Sequence, residues 1–294
     1  MDVFRTDRIR NVVLLGHSGS GKTSLTEAMA YLSGMTNRLG KVTDGNTVSD
    51  FDKEEIKRQF SIHTSVVPIE WDNVKINILD TPGQFDFAAG LYEGISAAES
   101  VVIALPAKDG VQVGTIKAYR EAIKHGKATM FVVTRMEEEN SNFYKCLEEL
   151  KTQFGPSICP IVVPFDKYGT VESYINLLEM KAYTYDNGVP TEVPMPASEN
   201  RLKGLRAAMA EAVAETDEEL MMRYFENEGE DFTEAEIVKG LHDGIHKGYI
   251  TPVVCCSGDT LAGIDMMLNT IIYMLPSPDE TDGELCDDLS LIHI

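Results

Sequence analysis

The sequence predicts an α/β fold built on a mostly parallel sheet. Three observations predict it. Short continuous apolar runs recur, amphipathic helical patterns lie between them, and a Gly-rich loop follows the first run. Runs of this kind suit strands buried on both faces of a parallel sheet, and their alternation with helices suits a doubly wound arrangement.

The elements follow in order. VVLL at 12–15 is the first strand, and Leu25, Met29 and Leu32 share one face of the helix after the loop. Val67, Ile69 and Trp71 alternate, then Asp72-Asn73, then Val74, Ile76 and Ile78 alternate. That is a hairpin, hence one antiparallel edge strand. VVIAL at 101–105 and MFVV at 130–133 are further strands, each followed by a helix, with faces Ile116, Tyr119, Ile123 and Phe143, Leu147, Leu150, Phe154. From about 159 to 249 the rhythm breaks. Two β-like pieces, ICPIVVPF and SYINLLEMKAYTY, lead to a polar connection, VPTEVPMPASEN, and then to amphipathic helices. Thr216 with Glu219 and Thr233 with Glu236 each fit a capping box, and Ile237, Leu241 and Ile245 repeat at helical spacing. PVVCC at 252–256 resumes the sheet, a helix runs from about Leu261 to Tyr273, and LPSP ends it. The expected organisation is a main domain over 1–158 and 250–278, an inserted small α+β subdomain over 159–249, and an acidic tail over 279–294.

Composition bounds the function. The net charge is -21, with acids concentrated at 215–236 and 279–288. This opposes direct nucleic-acid binding by the chain alone. No apolar run reaches the length of a membrane span, and no signal peptide is read at the N-terminus. Cys146, Cys159, Cys255, Cys256 and Cys286 show no CxxC spacing, so they are read as reduced thiols. A cytoplasmic monomer is expected.

The chemistry begins at GHSGSGKT, residues 16–23, which matches the phosphate-binding pattern GxxxxGK[ST] between a strand and a helix. Gly16 and Gly21 allow backbone shapes that a Cβ would block. Amides of the loop, through His17, Ser18, Gly19 and Ser20, then converge on phosphate oxygens at a helix N-terminus. Lys22 would reach the β- and γ-phosphates and Thr23 would ligate Mg²⁺. DTPG at 80–83 follows the next strand. Asp80 would hold the Mg²⁺ through water, Gly83 would offer a backbone N–H to the γ-phosphate, and Thr81 and Pro82 count with them as nucleotide-binding residues.

GHSGSGKTSLTEAM, NILDTPGQFDF, DGVQVGT at 109–115, the insert, and PVVCCSGD leading to a helix and LPSP resemble the GTPase region of elongation factor G over roughly residues 8–278. Ser18-Gly19-Ser20 in place of an Asp-containing turn sets it nearer the elongation-factor-G-like branch. The resemblance implies a P-loop NTPase of the Ras-like G-domain type, with GTP and Mg²⁺ as ligands and hydrolysis stimulated on the ribosome. It places the switch I signature at RQFSI, with Ser61 where the family has a Mg²⁺-ligating Thr. The segment before it is expected to be a mobile switch that orders around γ-phosphate and Mg²⁺. Gln84 stands where the family has His, and would orient the attacking water without titrating. His17 is read as structural.

The resemblance also implies how the base is read. The family uses Asn-Lys-Met-Asp; this chain has Thr134-Arg135-Met136-Glu137. Thr134 lacks the amide's paired functions, Arg135 can still stack on the base, and Glu137 carries an extra methylene. Weakened guanine selectivity is therefore expected. Ser257 and a backbone N–H, with Gly258, would face the guanine carbonyl. The leading reading is the GTP-hydrolysing domain of an elongation-factor-G-like factor. The alternatives are a non-catalytic nucleotide-binding module and a P-loop NTPase of relaxed base choice. The family continues into a β-barrel and further domains that make the ribosomal contacts, and LSLIHI at 289–294 resembles the translation of a sequencing adapter, so an artificial end to an incomplete gene is expected.

Overall fold

The structure, a computed structural model, describes residues 3–167, 169–196, 199–227, 232–281, 284–285 and 291–292. Its centre is β1 (Ile9–Gly16), whose apolar run includes the fully buried Val13 and Leu14. The phosphate loop follows, then α1 (Lys22–Leu32), a polar segment carrying α2 (Lys53–Arg58), and the pair β2 (Ser65–Trp71) and β3 (Val74–Asp80). Helix α3 (Ala89–Ala97), β4 (Ser100–Pro106), α4 (Val113–Lys124), β5 (Ala128–Thr134) and α5 (Phe143–Phe154) complete the first run of the chain. After them come β6 (Ile158–Pro160), β7 (Val162–Lys167), β8 (Thr170–Asn176), β9 (Lys181–Asp186) and β10 (Val189–Val193). Helices α6 (Glu199–Ala214), α7 (Glu218–Asn227) and α8 (Glu234–His246) lead back to β11 (Thr251–Cys255) and α9 (Ile264–Met274). Strands β12 (Glu284–Leu285) and β13 (Leu291–Ile292) pair only with each other among the described residues. Most of the remaining tail lies outside the described residues.

The main sheet has seven strands in the order β2-β3-β1-β4-β5-β11-β6. All neighbours are parallel except β2 and β3. The hairpin turns at Asp72 and Asn73, both at positive φ (45° and 62°), the two-residue geometry whose twist matches paired strands. At its end the Trp71 indole N–H donates to Asn269 Oδ1 of α9 at 2.8 Å, and the Tyr273 hydroxyl donates to Asp72 at 2.6 Å. Strand β1 is flanked by β3 on one side and β4 on the other, so the strand order reverses there and a crevice opens at its carboxyl end.

A second, antiparallel sheet has the order β10-β9-β8-β7. Several sequence expectations shift here. ICP does not belong with VVPF: it forms β6, at the far edge of the main sheet and parallel to β11. The strand thus straddles the expected boundary at 158/159. VPTEV, read as connection, is the edge strand β10, where a prolyl residue is tolerated because one side needs no donor. SYINLLEMKAYTY is two strands with a turn between them.

The helices differ from expectation in detail. The buried face of α4 is Gly114, Thr115, Ala118 and Ala122, while Ile123 is exposed. Small residues let α4 approach the sheet, and Tyr119 stacks beside Phe131 (5.4 Å) and Phe154 (4.3 Å). On α5, Phe143, Leu147 and Leu150 are buried as expected, as are Ile237, Leu241 and Ile245 on α8. Thr233 and Glu236 form their capping box. Thr216 does not cap: its hydroxyl turns back to the Val213 carbonyl, and Asp217 accepts from the Glu219 and Leu220 amides instead. Leu261 sits at φ 63°, outside helical geometry, so α9 starts at Ile264 after Gly263.

Candidate nucleotide site

The crevice at the carboxyl ends of β1, β3, β5 and β11 is a cleft of about 400 Å³. Gly16, at φ 145°, lies beside Ala104 of β4, and a Cβ there would stand 2.4 Å from the Ala104 carbonyl oxygen. Gly19 and Gly21 take φ of 78° and 87°, left-handed shapes that side chains rarely adopt. The chain can therefore wrap into a concavity and enter α1 at Lys22. Lys22 is buried, and its Nζ donates to the carbonyls of Gly16 (3.3 Å) and His17 (3.2 Å). Burial lowers its pKa to about 8, opposed by the charges of Asp80 and Asp50. An ammonium held in this way gains from an incoming phosphate that restores its counter-charge.

Gly83 closes over the same point. A side-chain carbon there would lie 2.6 Å from Lys22 Nζ and 2.9 Å from the Ser18 nitrogen. Gln84 Nε2 donates to Ser18 Oγ at 2.9 Å. The residues between are structural supports: Thr81 donates to the Leu14 carbonyl at 2.6 Å, and Pro82 packs under Gly90 of α3. The His17 ring meets Phe85 at 5.7 Å, Gly114 presses against its Cα, and its buried Nδ1 has no hydrogen-bond partner among the described residues.

Below Lys22 the three expected magnesium residues converge. Thr23 Oγ1 donates to Asp80 Oδ2 at 2.9 Å and lies 3.2 Å from Ser61 Oγ. Two residues not singled out from sequence join them. Ser49 Oγ donates to the same Asp80 oxygen at 2.8 Å, and Asp50 lines the cleft. Burial pushes the Asp80 carboxyl up, against the hydrogen bonds of Ser49 and Thr23 and the charge of Lys22. Burial, with help from the neighbouring acids and against a contact with the Ser61 hydroxyl, raises Asp50 to about 6. Asp80 Oδ1 is buried without a hydrogen-bond partner among the described residues, and the Asp50 carboxylate is buried beside Ser61. Hydroxyls plus an unsatisfied carboxylate oxygen fit a hard divalent cation such as Mg²⁺. No group of three His, Cys, Asp or Glu side chains stands ready for a metal among the described residues. Protein ligands this few suit Mg²⁺, which takes its remaining ligands from water and phosphate.

The polar segment before Ser61 is held by two buried carboxylates. Glu27 of α1 accepts from the amides of Gly40 (3.0 Å) and Val48. Glu55 of α2 accepts from Asp52 (3.1 Å), Ile62 (2.9 Å) and His63 (3.0 Å). Ser65 Oγ adds a bond to the Ser49 carbonyl at 2.7 Å. The expected mobile switch therefore has internal anchors on both sides of Ser61.

At the other end of the cleft, Thr134 Oγ1 donates to the Ser20 carbonyl at 2.7 Å and reaches the Leu105 carbonyl at 3.3 Å. Thr134 thus ties this end of the cleft to the phosphate loop. Arg135, at φ 58°, places its Nε 3.8 Å from where a Gly21 side chain would sit, and its Nη1 pairs with Glu138 at 2.7 Å. Glu137 is exposed on the rim. Gly258 and Asp259 line the cleft, whereas Ser257 is buried. Ser257 N–H donates to the Ala262 carbonyl at 2.9 Å, and its Oγ accepts from Thr260 N at 3.0 Å. Ser257 shapes this loop, and Gly258 is the member that faces the cleft.

A model of the elongation factor Tu GTP binding domain family matches residues 7–277. A crystal structure of a Thermus thermophilus protein is similar at a TM-score of 0.88 and 36% identity. The match covers 93% of this chain and 41% of that one, so this chain spans well under half of that relative's length.

Proposed function

This chain belongs to the elongation factor Tu GTP-binding-domain family, and on that premise we propose that it is the GTP-hydrolysing domain of an elongation-factor-G-like translation factor acting on the ribosome. The observation that carries the reading is the meeting of Thr23, Ser61 and Asp80 directly beneath the buried Lys22. Phosphate loop, metal ligands and switch converge there from three separate segments, as hydrolysis of a nucleoside triphosphate requires.

Loop amides and Lys22 hold the β- and γ-phosphates. Thr23, Ser61 and Asp80 would hold Mg²⁺, which neutralises charge on the phosphate oxygens. The Gly83 amide presents to the γ-phosphate, and Gln84 orients the attacking water once it leaves Ser18. A neutral amide in that role makes turnover insensitive to any histidine titration. Phosphate release from GTP by the purified chain, with and without ribosomes, tests the proposal. Slow Mg²⁺-dependent release that Lys22→Ala abolishes is the expected result. Tight nucleotide binding with no phosphate release under either condition would instead establish a non-catalytic binding module.

A second observation favours weakened base selectivity. Thr134 spends its one hydroxyl proton on main-chain carbonyls, and Arg135 is pinned by Glu138. Hydrogen-bond readout supplies most base discrimination, so GTP is expected to exceed ATP in affinity by less than about a hundredfold. The triple variant Thr134→Asn, Arg135→Lys, Glu137→Asp should widen that ratio, read by competition against a labelled nucleotide. A wild-type ratio of several orders of magnitude would refute it.

A further inference from the structure

Loop 257–263 at the base end of the cleft is held in an unusual way. Leu261 is buried at positive φ (63°), a conformation that a leucine adopts only when its surroundings impose it. Gly263, at φ 75°, admits no side chain: a Cβ would lie 2.8 Å from the Cys255 carbonyl and 3.3 Å from the Tyr174 ring. Gly258 packs on the Ser24 backbone at the start of α1, where a Cβ would stand 3.2 Å from the carbonyl oxygen. The loop is thus clamped against the phosphate-loop helix on one side.

On its other side stands the second sheet. The turn between β9 and β10 is Asn187-Gly188, both at positive φ (49° and 81°). Its tip enters the gap between Leu261 and the end of α1. A Cβ on Gly188 would lie 3.1 Å from both Leu261 Cβ and Leu32 Cδ1. Two residues before the turn, at the end of β9, the Tyr185 hydroxyl donates to Asp265 Oδ1 in the first turn of α9 at 2.7 Å. Tyr185 stands edge-on to Tyr174 at 5.6 Å, and Tyr174 in turn meets Gly263. One hairpin therefore touches the base loop, the helix that follows it, and the far end of the helix that carries Lys22 and Thr23.

We infer that the β9–β10 hairpin is a brace for the base end of the nucleotide cleft, with Tyr185 and Gly188 as positioning residues that set how fast nucleotide leaves. The inference rests on the nucleotide-binding reading above. The physical reason is local. Gly258 and Asp259 line the cleft in a loop whose strained Leu261 persists because the hairpin and α1 enclose it. Loosening the brace frees the loop to relax, and contacts to the base are lost before contacts to the phosphates. The second sheet thereby becomes a lever: whatever displaces the hairpin accelerates release.

The experiment uses the full chain with Mg²⁺, a fluorescent GDP analogue and inorganic tripolyphosphate. Tyr185→Phe deletes one hydrogen bond without changing shape, and Gly188→Ala wedges a methyl group against two leucines. Tyr273→Phe is the control. It cuts another tyrosine hydrogen bond made by α9, from its last turn to Asp72 in the β2–β3 turn, outside the lining of the cleft. Both brace variants are expected to release the labelled GDP roughly threefold to tenfold faster, while tripolyphosphate affinity and the control stay at the wild-type value. Unchanged release in Tyr185→Phe and Gly188→Ala overturns the brace, as does a parallel fall in tripolyphosphate affinity, which would mean general loosening. If wild type binds neither probe, the nucleotide-binding reading falls and the brace with it.

Discussion

A single methyl group at position 83 has nowhere to go: Lys22 Nζ and the Ser18 backbone already lie within 2.9 Å of where it would stand. Gly83→Ala is therefore expected to leave GTP affinity within about tenfold of wild type while lowering single-turnover phosphate release by about a hundredfold or more, as loss of one preorganised donor does. The meeting of Lys22, Thr23 and Asp80 was legible because one short motif at 16–23 ties loop shape, cation and hydroxyl to adjacent positions, and a second, DTPG, follows a strand. Ser49 and Asp50 were not. Ser49 meets Asp80 across 31 residues of sequence, inside a polar stretch with no apolar period to place it. Thr134 was half legible: its loss of amide chemistry could be read, but its bond to the Ser20 carbonyl depends on the approach of two loops 114 residues apart.

Among the elements, the segment carrying α2 is the one whose order depends most on a few side chains. Glu55 alone satisfies three backbone amides. Glu55→Ala is expected to cost about 1–3 kcal/mol locally, since three part-buried amides lose a charged acceptor. Limited proteolysis should then cut within residues 40–62 much sooner than in wild type. At the α7–α8 pair the Arg223 guanidinium, with the Thr233 amide and hydroxyl, lowers the Glu236 carboxyl to about 2 from its ordinary 4.5. A depressed carboxyl stabilises the fold above its unfolded pKa, and that stability is lost as pH falls through the window from 4.5 toward 2. Acid melting of wild type should steepen in that window relative to Glu236→Gln, followed by helical circular dichroism. The existence of most strands and helices was legible from period and composition, but not that of β10, α2 or α3. Boundaries were not: β6 joins the main sheet because β11 offers a parallel partner, and Asp217 displaces Thr216 as a cap because its carboxylate reaches two amides.

For the molecule as a whole, nucleotide and metal should act as folding ligands. GTP with Mg²⁺ at about a hundred times its dissociation constant adds roughly 2.7 kcal/mol, or about 4 °C in melting temperature for a chain of this size. Chelating the metal with EDTA should remove most of that shift, because Thr23, Ser61 and Asp80 hold little without it. The fold class was legible from four apolar runs and one loop. The seat of the second sheet was not, because a two-residue turn wedged between two leucines leaves no periodic trace.

Trp71, at the tip of the edge hairpin, is the sole tryptophan, and its indole N–H is bonded to Asn269. The strand that ends there starts at Ser65, shortly after the segment that brings Ser61 to Thr23. Indole emission is thus a built-in optical gauge: any rearrangement transmitted along that strand alters the ring's surroundings, and it can be followed in real time with no dye attached.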